Sequence, residues 1–134
     1  MPASPTGTIR SFRDLLVWQG AMDLAVQAYR LSHRFPAEER FALANQLRRS
    51  ASSIPANIAE GAGRCNTGEY LQGLSVALGS LRELETQLIL ASRLRYTPPE
   101  ESSVALARAE EVGRMLYGLM RSLRARKGGI HRRP

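Results

Sequence analysis

Apolar residues return at intervals of three and four along most of the chain, and no stretch alternates as a half-buried strand would. Four segments carry this helical period. In the first, from about Asp14 to His33, Leu15, Trp18, Met22, Ala25 and Tyr29 form a seam, and Ser11 and Asp14 are both placed to cap its start. Phe35-Pro36 ends it, because the residue before a proline is pushed out of the α region. The second runs from about Glu38 to Ala62 on Ala44, Leu47, Ala51, Ile54 and Ile58. Pro55 falls inside that seam, where it lacks a donor and crowds the carbonyl of Ala51, so a kinked helix is expected. Gly61 and Gly63 supply its stops.

The third segment opens at Asn66, with Glu69 three residues on in a capping-box arrangement. It reaches about Arg95 through Leu71, Leu74, Leu78, Leu81, Leu88 and Ala91, with Tyr70, Ala77, Leu84 and Leu94 beside them. Thr97-Pro98-Pro99-Glu100 then supplies an N-cap threonine, proline at the first helical position and glutamate at the third. The fourth segment carries Ala105, Ala109, Val112, Leu116, Leu119 and Leu123, and Gly128-Gly129 is expected to close it. Short connections set consecutive helices antiparallel. The fold expected is an all-α, up-down-up-down antiparallel four-helix bundle over residues 12–127. A flexible N-terminal arm, 1–11, precedes it and a basic C-terminal tail, 128–134, follows.

The first helix has more apolar surface than a bundle needs. Beside its seam lies a second, Val17, Ala21, Leu24, Ala28 and Leu31, and together they cover roughly 200° of the helix. The small residues of the second seam could sit at the bundle edge. The reading preferred here assigns it to the interface of a homo-oligomer, since Val17, Leu24 and Leu31 would otherwise form an exposed aliphatic row.

Charge adds a second asymmetry. The net +7 of the 134 residues sits wholly in residues 112–134, which hold Arg114, Arg121, Arg124, Arg126, Lys127, Arg132 and Arg133 and no acid. Arg114, Tyr117, Arg121 and Arg124 share one helix face. Cations near a helix C-terminus favour its dipole, which accounts for part of this cluster. Arginines interleaved with a tyrosine also fit RNA or single-stranded DNA, by phosphate contact and base stacking. A solubilising tail and an unidentified acidic protein partner remain open beside that reading.

The inventory for catalysis is thin. His33 and His131 are the only histidines, and neither follows a glutamate at di-iron spacing. Cys65 is alone, which excludes an intrachain disulfide and suits a cytoplasmic setting. Gly61-Ala62-Gly63-Arg64 follows a helix rather than a strand, so it reads as a C-cap and not as a phosphate loop. No enzyme activity, metal or cofactor is expected. No apolar run reaches the ~20 residues of a membrane span, and Met1 to Ser11 lacks the apolar centre of a secretory signal. Two polar positions stand out. Glu85 falls between Leu78, Leu81 and Ile89; it must either pair with Arg48, Gln46 or Asn57 of the second helix or reach outward. Asn57, the second candidate buried polar residue, lies with Arg49, Ser53, Ala56, Glu60 and Arg64 opposite or beside the core seam of that helix, where Glu60 and Arg64 are spaced to pair.

Phe12-Arg13-Asp14-Leu15-Leu16-Val17-Trp18-Gln19, Phe35-Pro36, Gln46 to Ala51, Ser53-Ile54-Pro55-Ala56-Asn57-Ile58-Ala59-Glu60-Gly61, Gly79 to Leu88 and Leu94-Arg95-Tyr96 are similar to the four-helix-bundle family of ribosomal RNA intervening-sequence proteins. The likeness covers about residues 12–120, and Asn57-Ile58-Ala59-Glu60-Gly61 is its most specific part. The resemblance implies a cytosolic bacterial bundle in a family with pentameric, ring-like members. The accessory protein of diversity-generating retroelements resembles this family in fold, forms a pentamer, and binds nucleic acid and a reverse transcriptase. By that resemblance the expected function is a homopentameric, nucleic-acid-associated scaffold; the alternative is a protein–protein interaction module with no nucleic-acid role.

Overall fold

The caps around Ser11 and Asp14 close on each other instead of starting a long helix. The Ser11 hydroxyl accepts the Arg13 amide at 3.2 Å, and the Asp14 carboxylate accepts the amides of Arg10 (2.9 Å) and Ser11 (3.3 Å). They enclose a single 3-10 turn, Phe12–Asp14, and α1 (Leu16–Ser32) follows without a side-chain cap. This computed structural model describes the backbone of residues 10–132 and the side chains of residues 10–126. The expected arm therefore lies almost wholly outside the described residues.

A second 3-10 turn, Ala37–Glu39, leads into α2 (Leu43–Ala62), which starts later than the periodicity suggests. The Glu39 carboxylate is the cause: it accepts the Leu43 amide at 3.3 Å, one of the donors left free at a helix start. Pro55 is accommodated inside α2, and its ring is buried. Asn66 caps α3 (Thr67–Arg93) as its position indicates, accepting the Glu69 amide at 2.8 Å. Glu69 does not complete a capping box; its carboxylate lies 3.8 Å from Arg64. The fourth helix, α4 (Pro99–Arg132), begins one residue later than its start signal suggests. Thr97 spends its hydroxyl on Ser102 at 2.6 Å, inside the bundle, and so is not an N-cap. Gly128-Gly129 does not end α4. A glycine costs a helix interior only about 1 kcal/mol, and it terminates one only by turning left-handed.

Each helix packs on its chain neighbours, and α1 also packs on α4, which closes an all-α bundle with no strand among the described residues. The core is built from Val17, Ala21, Leu24, Ala28 and Leu31 of α1, and Ala44, Leu47, Ala51, Ile54 and Ile58 of α2. Leu74, Ala77, Leu81, Leu84, Leu88 and Ala91 of α3, and Ala105, Ala109, Val112, Leu116, Met120 and Leu123 of α4, complete it.

The closest approach is between α2 and α3. A Cβ on Gly73 would stand 2.8 Å from both the Asn57 carbonyl oxygen and the Gly61 Cα, and one on Gly61 would stand 3.0 Å from the Tyr70 carbonyl oxygen. The two backbones touch there, and only glycine leaves room. Farther along the same pair, the Asn57 side-chain amide donates to the Ser53 carbonyl (2.8 Å) and hydroxyl (2.9 Å), and the Ser53 and Ser80 hydroxyls bond at 2.8 Å.

At the opposite end α3 stops in a Schellman turn. The Tyr96 amide bonds the Ala91 carbonyl and the Arg95 amide that of Ser92, with Arg95 at φ 64°, a left-handed conformation. This turn aims Tyr96 back across the bundle, where its ring packs on Phe35 and its hydroxyl donates to Glu39 at 2.8 Å.

The backbone geometry sets three expectations for denaturant unfolding. Gly73→Ala forces backbone atoms apart and should lower stability by about 1–3 kcal/mol. Gly79→Ala has nothing within 4 Å to meet and should raise it by about 0.5–1 kcal/mol. At the Schellman turn Arg95→Gly relieves the left-handed penalty and should raise stability by about 1 kcal/mol; an unchanged midpoint would show that the turn is not strained.

Candidate functional site

The stripe of α1 assigned to an oligomer interface turns out to be core. Val17, Ala21, Leu24, Ala28 and Leu31 are buried within one chain and cannot reach a neighbour. Of the residues expected inside, Met22 and Tyr29 are 38% and 40% exposed, while Trp18 is partly buried, packed on the edge of the core and edge-on against Phe12. The reason lies in how α1 sits on α4. Gly20 lies beside the Met115 and Val112 side chains of α4, and Ala21 and Ala28 on the buried stripe are fully covered.

The surplus apolar surface is therefore real but lies on the other stripe. Trp18, Met22, Ala25, Val26 and Tyr29 form a groove of about 540 Å³ with Pro55, Ala56 and Ala59 of α2. Arg30, His33 and Ser52 complete its lining, which contains no carboxylate.

The basic face of α4 stands where its spacing puts it. Arg114, Tyr117, Arg121, Arg124 and Arg126 are all exposed. Lys127, Arg132 and Arg133 belong to the same expectation, and their side chains lie outside the described residues. Among the described residues none of Arg114, Arg121, Arg124 and Arg126 has an ion-pair partner. The structure adds Arg82 of α3 to this face. Its guanidinium lies 6.0 Å from the centre of the Tyr117 ring, close to Gly113 of α4.

Arg82 also settles the partner of Glu85. The carboxylate accepts from Arg82 at 2.6 Å, not from the second helix. Arg48 is engaged instead with the Ser32 hydroxyl at 3.0 Å, and Asn57 with Ser53. The cause is the rotation of α3: Ala77 and Leu84 turn inward, Leu78 is left partly buried, and Glu85 reaches the edge facing α4. Its side chain is 17% exposed, so it is mostly withdrawn from water and answered by one close cation. That carboxylate holds the Arg82 guanidinium even more firmly protonated than usual. Asn57, also expected to be buried, is half-buried. On the outer side of α2, Arg64 pairs with Glu60 at 3.0 Å, as the spacing indicates.

Among the described residues no group of three or more His, Cys, Asp or Glu side chains gathers, and Cys65 is exposed. No described helix is long and apolar enough to cross a membrane.

Glu85→Gln should cost about 0.5–1.5 kcal/mol in thermal unfolding, below the usual range for a charged hydrogen bond because Arg82 is half exposed. A gain in stability would mean that burial of the carboxylate outweighs its pairing.

The family model described as 23S rRNA-intervening sequence protein matches residues 13–118. Among solved structures, a protein of unknown function from the S23 ribosomal protein family of Bacteroides thetaiotaomicron is 25% identical, with a TM-score of 0.73 over 79% of this chain and 96% of that one. No curated protein matches this chain. The chain belongs to the 23S rRNA-intervening sequence protein family.

Proposed function

We propose that this family member works without catalysis, as a self-associating bundle that carries RNA or single-stranded DNA on the basic face of α4. One observation carries the nucleic-acid part: Arg114, Tyr117, Arg121 and Arg124 are exposed on one side of a helix that has no acid between residues 112 and 126. Arginine offers a planar fork to phosphate oxygens, and an exposed tyrosine ring offers a stacking surface to an unpaired base. Tyr117 is 46% exposed with Arg82 on its ring, so a base stacking there would meet a cation as well as a π face. The family's association with 23S rRNA intervening sequences favours RNA as the first ligand to try.

Self-association is supported by the groove between α1 and α2, an apolar surface left open among the described residues. A homopentameric ring is the proposed state, by resemblance to the family's ring-forming members, and the cytoplasm the proposed setting. The same groove favours a second reading, an interaction module for proteins with no nucleic-acid role.

Salt separates the two. Three or four phosphate contacts predict that the logarithm of the RNA affinity falls with that of the salt concentration with a slope of about −2 to −3. Arg121→Gln with Arg124→Gln should flatten that slope and weaken binding to all sequences alike. Deleting residues 124–134 should weaken it while leaving assembly intact. If micromolar protein fails to shift single-stranded RNA or DNA at low salt, the nucleic-acid role is lost and the second reading stands.

A further inference from the structure

Besides the groove, the chain carries an apolar projection that nothing in the fold uses. Phe41, in the turn between Ala37–Glu39 and α2, is 87% exposed, more than any other large apolar side chain described. It does not line the groove. An aromatic ring held in water on a short turn is a projection without a pocket, and the α1/α2 groove is a pocket without a projection.

Charge links the two features. The groove is lined by Arg30 and His33 and by no acid. Three residues before Phe41 lies Glu38, which is exposed and has no hydrogen-bond or ion-pair partner among the described residues. Its neighbour Glu39 is fully engaged, by the Tyr96 hydroxyl and the Leu43 amide. Arg30 likewise has no partner among the described residues. A free carboxylate beside the projection thus matches a free guanidinium beside the pocket.

We propose that Phe41 of one copy inserts into the α1/α2 groove of a second copy, setting Glu38 beside Arg30 of the receiver. This rests on the self-association reading above and names its two surfaces. The exposed Met22, Val26 and Tyr29, which line the groove, are covered in the same contact. Because projection and groove are different surfaces of the same chain, the contact is head-to-tail. Each copy added leaves one projection and one groove free, until the chain of copies closes on itself.

The test uses two variants of the full chain, one blocked on each side: Phe41→Glu, and Met22→Glu with Val26→Glu. All three positions are exposed in the single chain, so circular dichroism and thermal unfolding should show both variants folded. In sedimentation at micromolar concentration the wild type should assemble and each variant should be monomeric. Mixed in equal amounts, the two variants should form a heterodimer and nothing larger, because one sound contact remains and both ends are blocked. Arg30→Glu should weaken assembly about tenfold, and Glu38→Arg in the same chain should restore it.

A monomeric wild type would overturn self-association itself. A wild type that assembles, with Phe41→Glu assembling equally well, would overturn only the insertion of Phe41. So would a mixture that yields no heterodimer, as when two grooves face each other or the groove holds another molecule.

Discussion

Contact between two backbones governs the shape of this bundle. Where α2 and α3 cross, Gly61 and Gly73 leave no space for a side chain on either helix. Helix axes usually stand 8–10 Å apart, and the smallest residues set the lower end. Holding α2 and α3 this close at one point decides what lies along the rest of their length. Only hydroxyls and a short amide fit between them on the outer side, in the Ser53–Ser80–Asn57 chain, while Ala51, Ile54, Ala77 and Leu81 fill the inner side. The four-residue connection between them, Gly63 to Asn66, is as short as it is because the helices need no distance to span.

The other two helices rest on this pair under a similar rule. α1 turns its Ala21 and Ala28 inward, and the buried Gly113 of α4 lies beside Leu81 and Arg82 of α3. Small residues therefore mark the places where helices meet, and larger apolar residues are displaced outward. The groove on α1 is a consequence of that arrangement: with the other stripe as core, Met22 and Tyr29 are left exposed, and Trp18 packs only at the edge, on the core and on Phe12.

This explains which parts of the structure could be read from sequence. The four helices, the seam of α2, that of α4 except that Met120 takes the place expected for Leu119, and the Asn66 cap follow from spacing, because each has one main apolar stripe or one capping residue to choose. α1 has two stripes, both with helical spacing. Choosing between them needs the distance to the neighbouring helix, and size favoured the wrong one. In α3 a small rotation replaced Leu78 by Ala77 and Leu84 as core and carried Glu85 toward α4. The basic face was legible as charge on one helix; the addition of Arg82 was not, because it depends on how two helices sit side by side. Phe41 gave no signal, since one apolar residue in a turn resembles any other until its surroundings are known.

The hydrogen bond from Tyr96 to Glu39 joins residues 57 apart in the chain and ties the α1–α2 connection to the α3–α4 connection. Its donor is a phenol, and the neighbouring carboxylate, with some burial, raises the Tyr96 pKa above the ordinary tyrosine value. A group whose pKa is raised on folding stabilises the fold while it keeps its proton, and that contribution is lost as pH rises through the raised value. The fastening is therefore indifferent to acidity anywhere near neutrality, where a histidine in the same place would respond. It behaves as an alkaline latch, closed throughout the physiological range and released only when the phenol ionises beside a carboxylate that repels it.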